Sequence, residues 1–186
     1  GRIVTNGMSY ADRDGENANA ALLVTLNPAD FSYAGNRGGM YWQREIEQAA
    51  YRAAGSCYKA PAQKVGDFLA GVKSDGPGAV KPTYRPGVVW CDLHDVLPTA
   101  LTDAMEEALP KLDGMLKGFA QADAVLTAPE TRSSSPVRIL RDDTRQSQLR
   151  GLYPTGEGAG YAGGIMSAAI DGIMTAEAIL GVTHDR

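Results

Sequence analysis

Gly156-Glu157-Gly158-Ala159-Gly160-Tyr161-Ala162-Gly163-Gly164 stands between a short apolar stretch, Gly151 to Thr155, and a long run of small residues. Glycine at this density marks backbone that must adopt positive φ or lie close to something else. A glycine loop feeding a helix N-terminus is also an anion-binding arrangement, because unpaired N–H groups and the positive end of the helix dipole converge there. Gly158, Gly160 and Gly163 satisfy the spacing G-x-G-x-x-G. That motif needs more than its glycines: a strand before it, a helix after it, and a second strand carrying an acidic residue about 20 residues on. Only Gly181 to Arg186 follow the helix in this sequence, so a βαβ unit starting here is not expected. Two readings stay open: a cofactor- or phosphate-facing loop, or a tight structural turn.

The helix after the loop reads from about Gly164 to Leu180. Ser167, Asp171 and Thr175 make a polar stripe at four-residue spacing, and most of the rest is Ala, Gly, Ile and Met. Such a helix is expected to be buried on most sides, with Ala168, Ala169, Gly172 and Ala176 permitting close packing. Working back along the chain, Gly151 to Thr155, Val137 to Leu140 and Ala124 to Thr127 read as strands, as does Ala21 to Leu26, closed by Asn27-Pro28. Tyr41 to Ala54 is periodic in Trp42, Ile46, Ala50 and Ala53 and reads as a helix stopped by Gly55. Trp42 on its face belongs to the core rather than to a stacking platform. Pro61 opens a second helix through Val65, Phe68 and Leu69, ended by Gly71. Asp92 to Leu116 is helical, with Pro98 and Pro110 each starting a new segment. Asn6 to Asn19 and Tyr33 to Gly39 read as loops, and Ser74 to Pro86 as a linker.

The 186 residues suffice for one domain or two small ones. A net charge of −4 speaks against nucleic acid as a partner. No apolar run approaches the ~20 residues of a membrane span, and no signal peptide is read, so a cytoplasmic location is expected. Cys57 and Cys91 sit in no ligand-like spacing and are expected to be reduced thiols. His94 and His184 belong to no metal-ligand cluster, so no metal is indicated. The chain starts Gly1-Arg2-Ile3-Val4, without an initiator methionine, which suggests a processed or excised piece.

Polar clusters supply the other candidates. Arg13 and Asn17 lie in the Asn/Gly-rich loop and either face a substrate or simply cap a surface turn. Arg132-Ser133-Ser134-Ser135 could hold an anionic group, since a guanidinium offers a planar fork and hydroxyls adapt; a plain connection is the alternative. A hydrolase reading would require His94 or His184 to be brought to the serines, and it is not favoured. Lys59 reads as a solvated lysine.

Five blocks resemble the C-terminal portion of a family of bacterial FAD-dependent dehydrogenases, the NAD(P)/FAD-dependent oxidoreductases: Thr5 to Ser9, Arg13 to Asn19, Tyr58 to Gln63, Glu130 to Arg138, and Gly151 to Gly172. The resemblance implies a mixed α+β fold, with a helical-plus-strand substrate or insert domain over residues 1–121. Residues 122–186 would be the C-terminal strand–helix piece of an FAD-binding domain. It implies that Glu157 binds the ribityl hydroxyls of FAD, within a cofactor wall formed by Gly156, Gly158, Gly163, Gly164 and Ile165. A carboxylate suits sugar hydroxyl donors, and a helix N-terminus suits the charge of a reduced flavin. Arg132, Ser133, Ser134 and Ser135, with Arg13 and Asn17, would lie toward the substrate. The family's N-terminal dinucleotide-binding half does not occur in this sequence. The partner implied is that missing half, with NAD(P)H or another redox partner acting on the whole. Alone, the chain is expected to bind FAD poorly and to be inactive, and a homodimer is the other way of covering an apolar helix. The competing reading is a self-contained ligand-binding or interaction module with an anion-binding glycine loop.

Overall fold

Ala60-Pro61-Ala62-Gln63-Lys64 forms β1, the centre of a three-stranded sheet ordered β2-β1-β3. The computed structural model describes residues 1–182, the side chains of residues 32–34 excepted. His184 therefore lies outside the described residues. β2 (Val88–Trp90) runs parallel to β1, with Pro61 opposite Val89. β3 (Val125–Thr127) runs antiparallel, with Gln63 opposite Leu126. The helix expected from Pro61 is thus a strand first and a helix second. Only α2 (Val65–Leu69) is helical, followed by Gly71. A proline inside a central strand normally removes a ladder bond. Here the cost is avoided by position. Ala60 and Ala62 bond toward β2, through Gly87 C=O and Cys91 N–H, while Pro61 contributes only its carbonyl, which accepts from Ala128 N–H at 3.1 Å.

Two compact units follow from the chain's contacts. The first comprises residues 1–30 and 42–131, the second residues 31–41 and 132–186. The first unit holds the apolar core. Phe68, Leu93, Leu109, Val65, Ala50 and Ile3 are buried together between the sheet and the helices. α1 (Gly38–Ala53) supplies Ile46 and Ala50 on its inward face. α3 (Thr99–Met115) supplies Met105 and Leu109. Pro98 stands just before α3, as the sequence suggests, but Pro110 does not start a new segment. It lies inside α3 on an exposed position, where the missing N–H interrupts one hydrogen bond without breaking the helix.

Several expected elements differ. Residues 21–26 form no strand; Leu22, Val24 and Leu26 are half-buried and alternate with exposed neighbours, and Leu22 and Val24 pack on the core without a ladder partner. The glycine loop at Tyr33 to Gly39 belongs to a 3-10 helix over Pro28–Arg37 that runs into α1. Residues 74–86 have no regular structure but connect α2 to β2 within the first unit, so they are not an interdomain linker. Residues 137–140 and 151–155 are extended or turn segments rather than strands. The secondary structure is α+β, and no helix among the described residues is long and apolar enough to cross a membrane.

Candidate functional site

α4 (Ile165–Leu180) carries the glycine block on its N-terminus. The helix is not buried on most sides, as its apolar composition suggests, but on one polar strip. Asp171 and Thr175, from the polar stripe, are the side chains of α4 that are buried. The apolar faces point outward: Ile165 is 90 % exposed, Leu180 76 % and Met166 72 %, with Ile170, Ile173 and Ile179 also more than half exposed. The cause lies in the partners of Asp171. Arg141 donates to both of its carboxylate oxygens, at 2.6 and 3.0 Å, and Arg145 adds a third bond at 2.7 Å. Two guanidiniums on one carboxylate draw that face of the helix inward. Hydrogen bonds from Arg141 hold the Asp171 carboxyl far below the usual carboxylate range, against the opposing effect of its burial.

The same carboxylate organises the loop. Gly156, at φ 73°, donates its N–H to Asp171 Oδ2 at 2.9 Å. Thr155 Oγ1 donates to Thr175 Oγ1 at 3.0 Å. Gly160, at φ 84°, lies against residues 137–138: a Cβ there would stand 2.6 Å from the Val137 carbonyl oxygen and 2.9 Å from Arg138 Cα. Arg138 Nε donates to the Gly160 carbonyl at 2.9 Å, and Arg141 stacks over Tyr161 at 3.6 Å. Two glycines of the block are therefore required by the fold itself.

Gly158 and Gly163 are different. Neither has positive φ, and a Cβ at either would meet nothing within 4 Å. Glu157, immediately before Gly158, is exposed. Gly164 precedes the helix in extended backbone; its N–H donates to Ser167 Oγ at 3.1 Å, and its carbonyl accepts the first helical bond, from Ala168. The N–H groups of Ile165 and Met166 are thereby left in the first turn, where an α-helix offers no intrahelical acceptor.

The remaining candidates fall in separate places. In the second unit, Ser135 Oγ donates to the Val137 carbonyl at 2.8 Å and also lies 3.2 Å from the Gly158 carbonyl, so it braces the glycine loop. Ser133 is half-buried, Ser134 and Arg132 exposed. In the first unit, Asn17 Nδ2 donates to the Lys81 carbonyl at 2.7 Å, and Arg13 is exposed at φ 53°. Lys59 is exposed and Trp42 half-buried. Cys57 and Cys91 are both free thiols.

One cluster has no counterpart among the sequence candidates. His94 places Nδ1 2.7 Å from Asp92 Oδ1 and Nε2 3.0 Å from Glu106 Oε1, with its ring stacked on Phe68 at 4.6 Å. The signal that could have found it is the i, i+2 spacing of Asp92 and His94 in a short turn; the Glu106 contact depends on the docking of α3 and carries no local signature.

An acceptor carboxylate, bare glycine backbone and first-turn N–H groups are a donor and acceptor set that fits a polyhydroxylated, anionic ligand. Comparison with known proteins adds the family. Residues 1–133 match the family described as FAD-dependent protein, C-terminal domain-like. An uncharacterised protein of Clostridium beijerinckii is 48 % identical over 181 residues, which is 97 % of this chain and 34 % of that protein. The chain thus spans about a third of the length of the curated relative it matches. The family match covers the sheet and its core, and the relative extends the similarity through the glycine block, so the chain belongs to the FAD-dependent protein family, in its C-terminal domain-like region.

Proposed function

We propose that this chain supplies the flavin-side wall and the substrate side of an FAD-dependent oxidoreductase, acting as part of a longer polypeptide. The observation that carries the reading is the division among the glycines. Gly156 and Gly160 serve the fold, while Gly158, next to the exposed Glu157, and Gly163, just ahead of α4, leave bare backbone. Backbone without a side chain, where the protein itself does not need the space, suits close approach by a ligand.

In this reading Glu157 accepts hydrogen bonds from the ribityl hydroxyls. Gly163, Gly164 and Ile165 bring the positive end of α4 toward the flavin, and Gly158 keeps the approach open. Gly156 contributes through the loop's shape, since its N–H already serves Asp171. Bound FAD supplies hydride and electron transfer; the chain's residues hold and orient it. Arg13, Asn17, Arg132 and Ser133 to Ser135 are the substrate-side candidates. Residues 1–121 would form the substrate-side domain and 122–186 the C-terminal segment of the FAD-binding domain. The partner is the dinucleotide-binding half of the same protein, laid over the outward apolar face of α4, and NAD(P)H or another redox partner exchanges electrons with the whole.

The test is the flavin content of the longer protein from which this chain is taken, purified with Glu157→Ala or Gly163→Val and read by absorbance near 450 nm. Loss of bound flavin with unchanged thermal stability is expected. Full flavin occupancy in both variants would remove these residues from the cofactor wall. The isolated chain, titrated with FAD, should not reach stoichiometric binding.

A further inference from the structure

His94 sits in a short 3-10 turn, Leu93–Asp95, with Asp92 as its cap. Asp92 Oδ1 accepts the His94 backbone N–H at 3.0 Å as well as approaching its Nδ1. On the other side the ring reaches across to Glu106 on α3. The elements packed around the imidazole contribute few charges. α2 presents the ring of Phe68, β1 presents the neutral amide of Gln63, which lies 3.4 Å from Asp92 Oδ1, and α3 presents Glu106. Asp92 and Glu106 are the charged groups in contact with it.

Both partners of the ring are carboxylates, and an ionised carboxylate only accepts. A neutral imidazole carries one N–H and can satisfy one of them; its other nitrogen would then set a lone pair against the second carboxylate. Only the imidazolium donates to both. We infer that His94 is a doubly protonated clasp joining the Leu93–Asp95 turn to α3, and that loss of its proton releases one side of that joint.

The joint matters beyond its own bonds. The turn and its flanks, Cys91, Asp92, Asp95 and Val96, form one wall of an open cleft of about 360 Å³ whose other wall is Ala49, Arg52 and Ala53 of α1. The clasp therefore governs how firmly one wall of that cleft is fixed to the core. Burial alone would lower the basicity of His94, but the two carboxylates outweigh it and the net displacement is upward from the ordinary histidine value. The sign follows from the upward displacement. The clasp's contribution is complete below the ordinary value of about 6.5 and is lost as pH rises through the higher value of the folded protein. The device is thus closed below the His94 midpoint and opens as pH rises through it.

Nitrogen-15 spectra of the chain labelled only at histidine test this directly, with His94→Gln assigning the signals against His184. At pH 7 both ring nitrogens of His94 should carry protons, and its titration midpoint should lie above 6.5. Glu106→Gln, whose amide oxygen still accepts a hydrogen bond but carries no charge, should lower the midpoint while leaving the circular dichroism spectrum unchanged. A singly protonated ring at pH 7, a midpoint at or below the ordinary value, or a midpoint unmoved in Glu106→Gln would each overturn the clasp.

Discussion

Asp171 accepts the backbone N–H of Gly156 at 2.9 Å while its two oxygens also receive Arg141. One side chain in the second turn of α4 therefore fixes the glycine loop, the arginine segment and the rotation of the helix about its axis. Asp171→Asn keeps an acceptor for Gly156 but removes the charge that both arginines address. Loss of charge-assisted hydrogen bonds at a mostly buried site should cost roughly 2–3 kcal/mol, measured as a lower urea midpoint at unchanged slope.

Acid should reveal the same residue. A carboxyl held below its ordinary range contributes stability that is present above the unfolded value and lost as pH falls through the folded one. Stability of the wild-type chain should therefore fall as pH drops below about 4, and the Asp171→Asn variant should lack that part of the slope. Parallel acid unfolding curves for the two proteins would contradict this assignment.

Gly160→Ala and Gly158→Ala form a matched pair. At Gly160 the new Cβ meets the backbone of residues 137–138, on a φ of 84°, and destabilisation of about 1–3 kcal/mol is expected. At Gly158 the new Cβ meets nothing, so the melting temperature should be unaltered. Equal effects at the two positions would erase the distinction between structural and bare glycines.

Phe68→Ala removes a side chain with no exposed surface, together with the ring under His94. A loss of about 3–5 kcal/mol follows for a buried aromatic. Ile173→Lys, at a residue of α4 that is 60 % exposed, should leave stability within about 0.5 kcal/mol. It should also reduce self-association in sedimentation velocity, since contiguous exposed apolar surface favours association. A monomer at high concentration without the substitution would argue against a covering role for that face.

The helices were legible because their signals are local. Apolar spacing located α1 and α4, and Gly55 and Gly181 close them. β1 was not legible. Ala60 to Lys64 is too short to alternate, and Pro61 at its second position looks like a helix start; what makes it a strand is β2 and β3 on either side. The reverse holds for residues 21–26 and 137–140, apolar and extended but lacking a partner to complete a ladder. The burial of α4 was misread for a related reason. Its apolar composition suggests burial on most sides, whereas the side that is buried is set by Arg141 and Arg145, far off in sequence, on Asp171. The glycine block was visible as a block, but its division into fold-bearing and bare positions depends on what residues 137–138 and Asp171 do in space.

The mixed sheet also sets an order of events. Ala62 takes Trp90 as neighbour on one edge and Thr127 on the other, so the central strand waits for two later segments, and closing such long loops is entropically slow. During synthesis, Ala60 to Lys64 leaves the ribosome long before Thr127 does, and until then Phe68 and Leu93 have an incomplete sheet to cover them. The first unit is consequently completed only once the chain has been made through β3, and the interval before β3 arrives is when its nascent chain most needs a chaperone's protection.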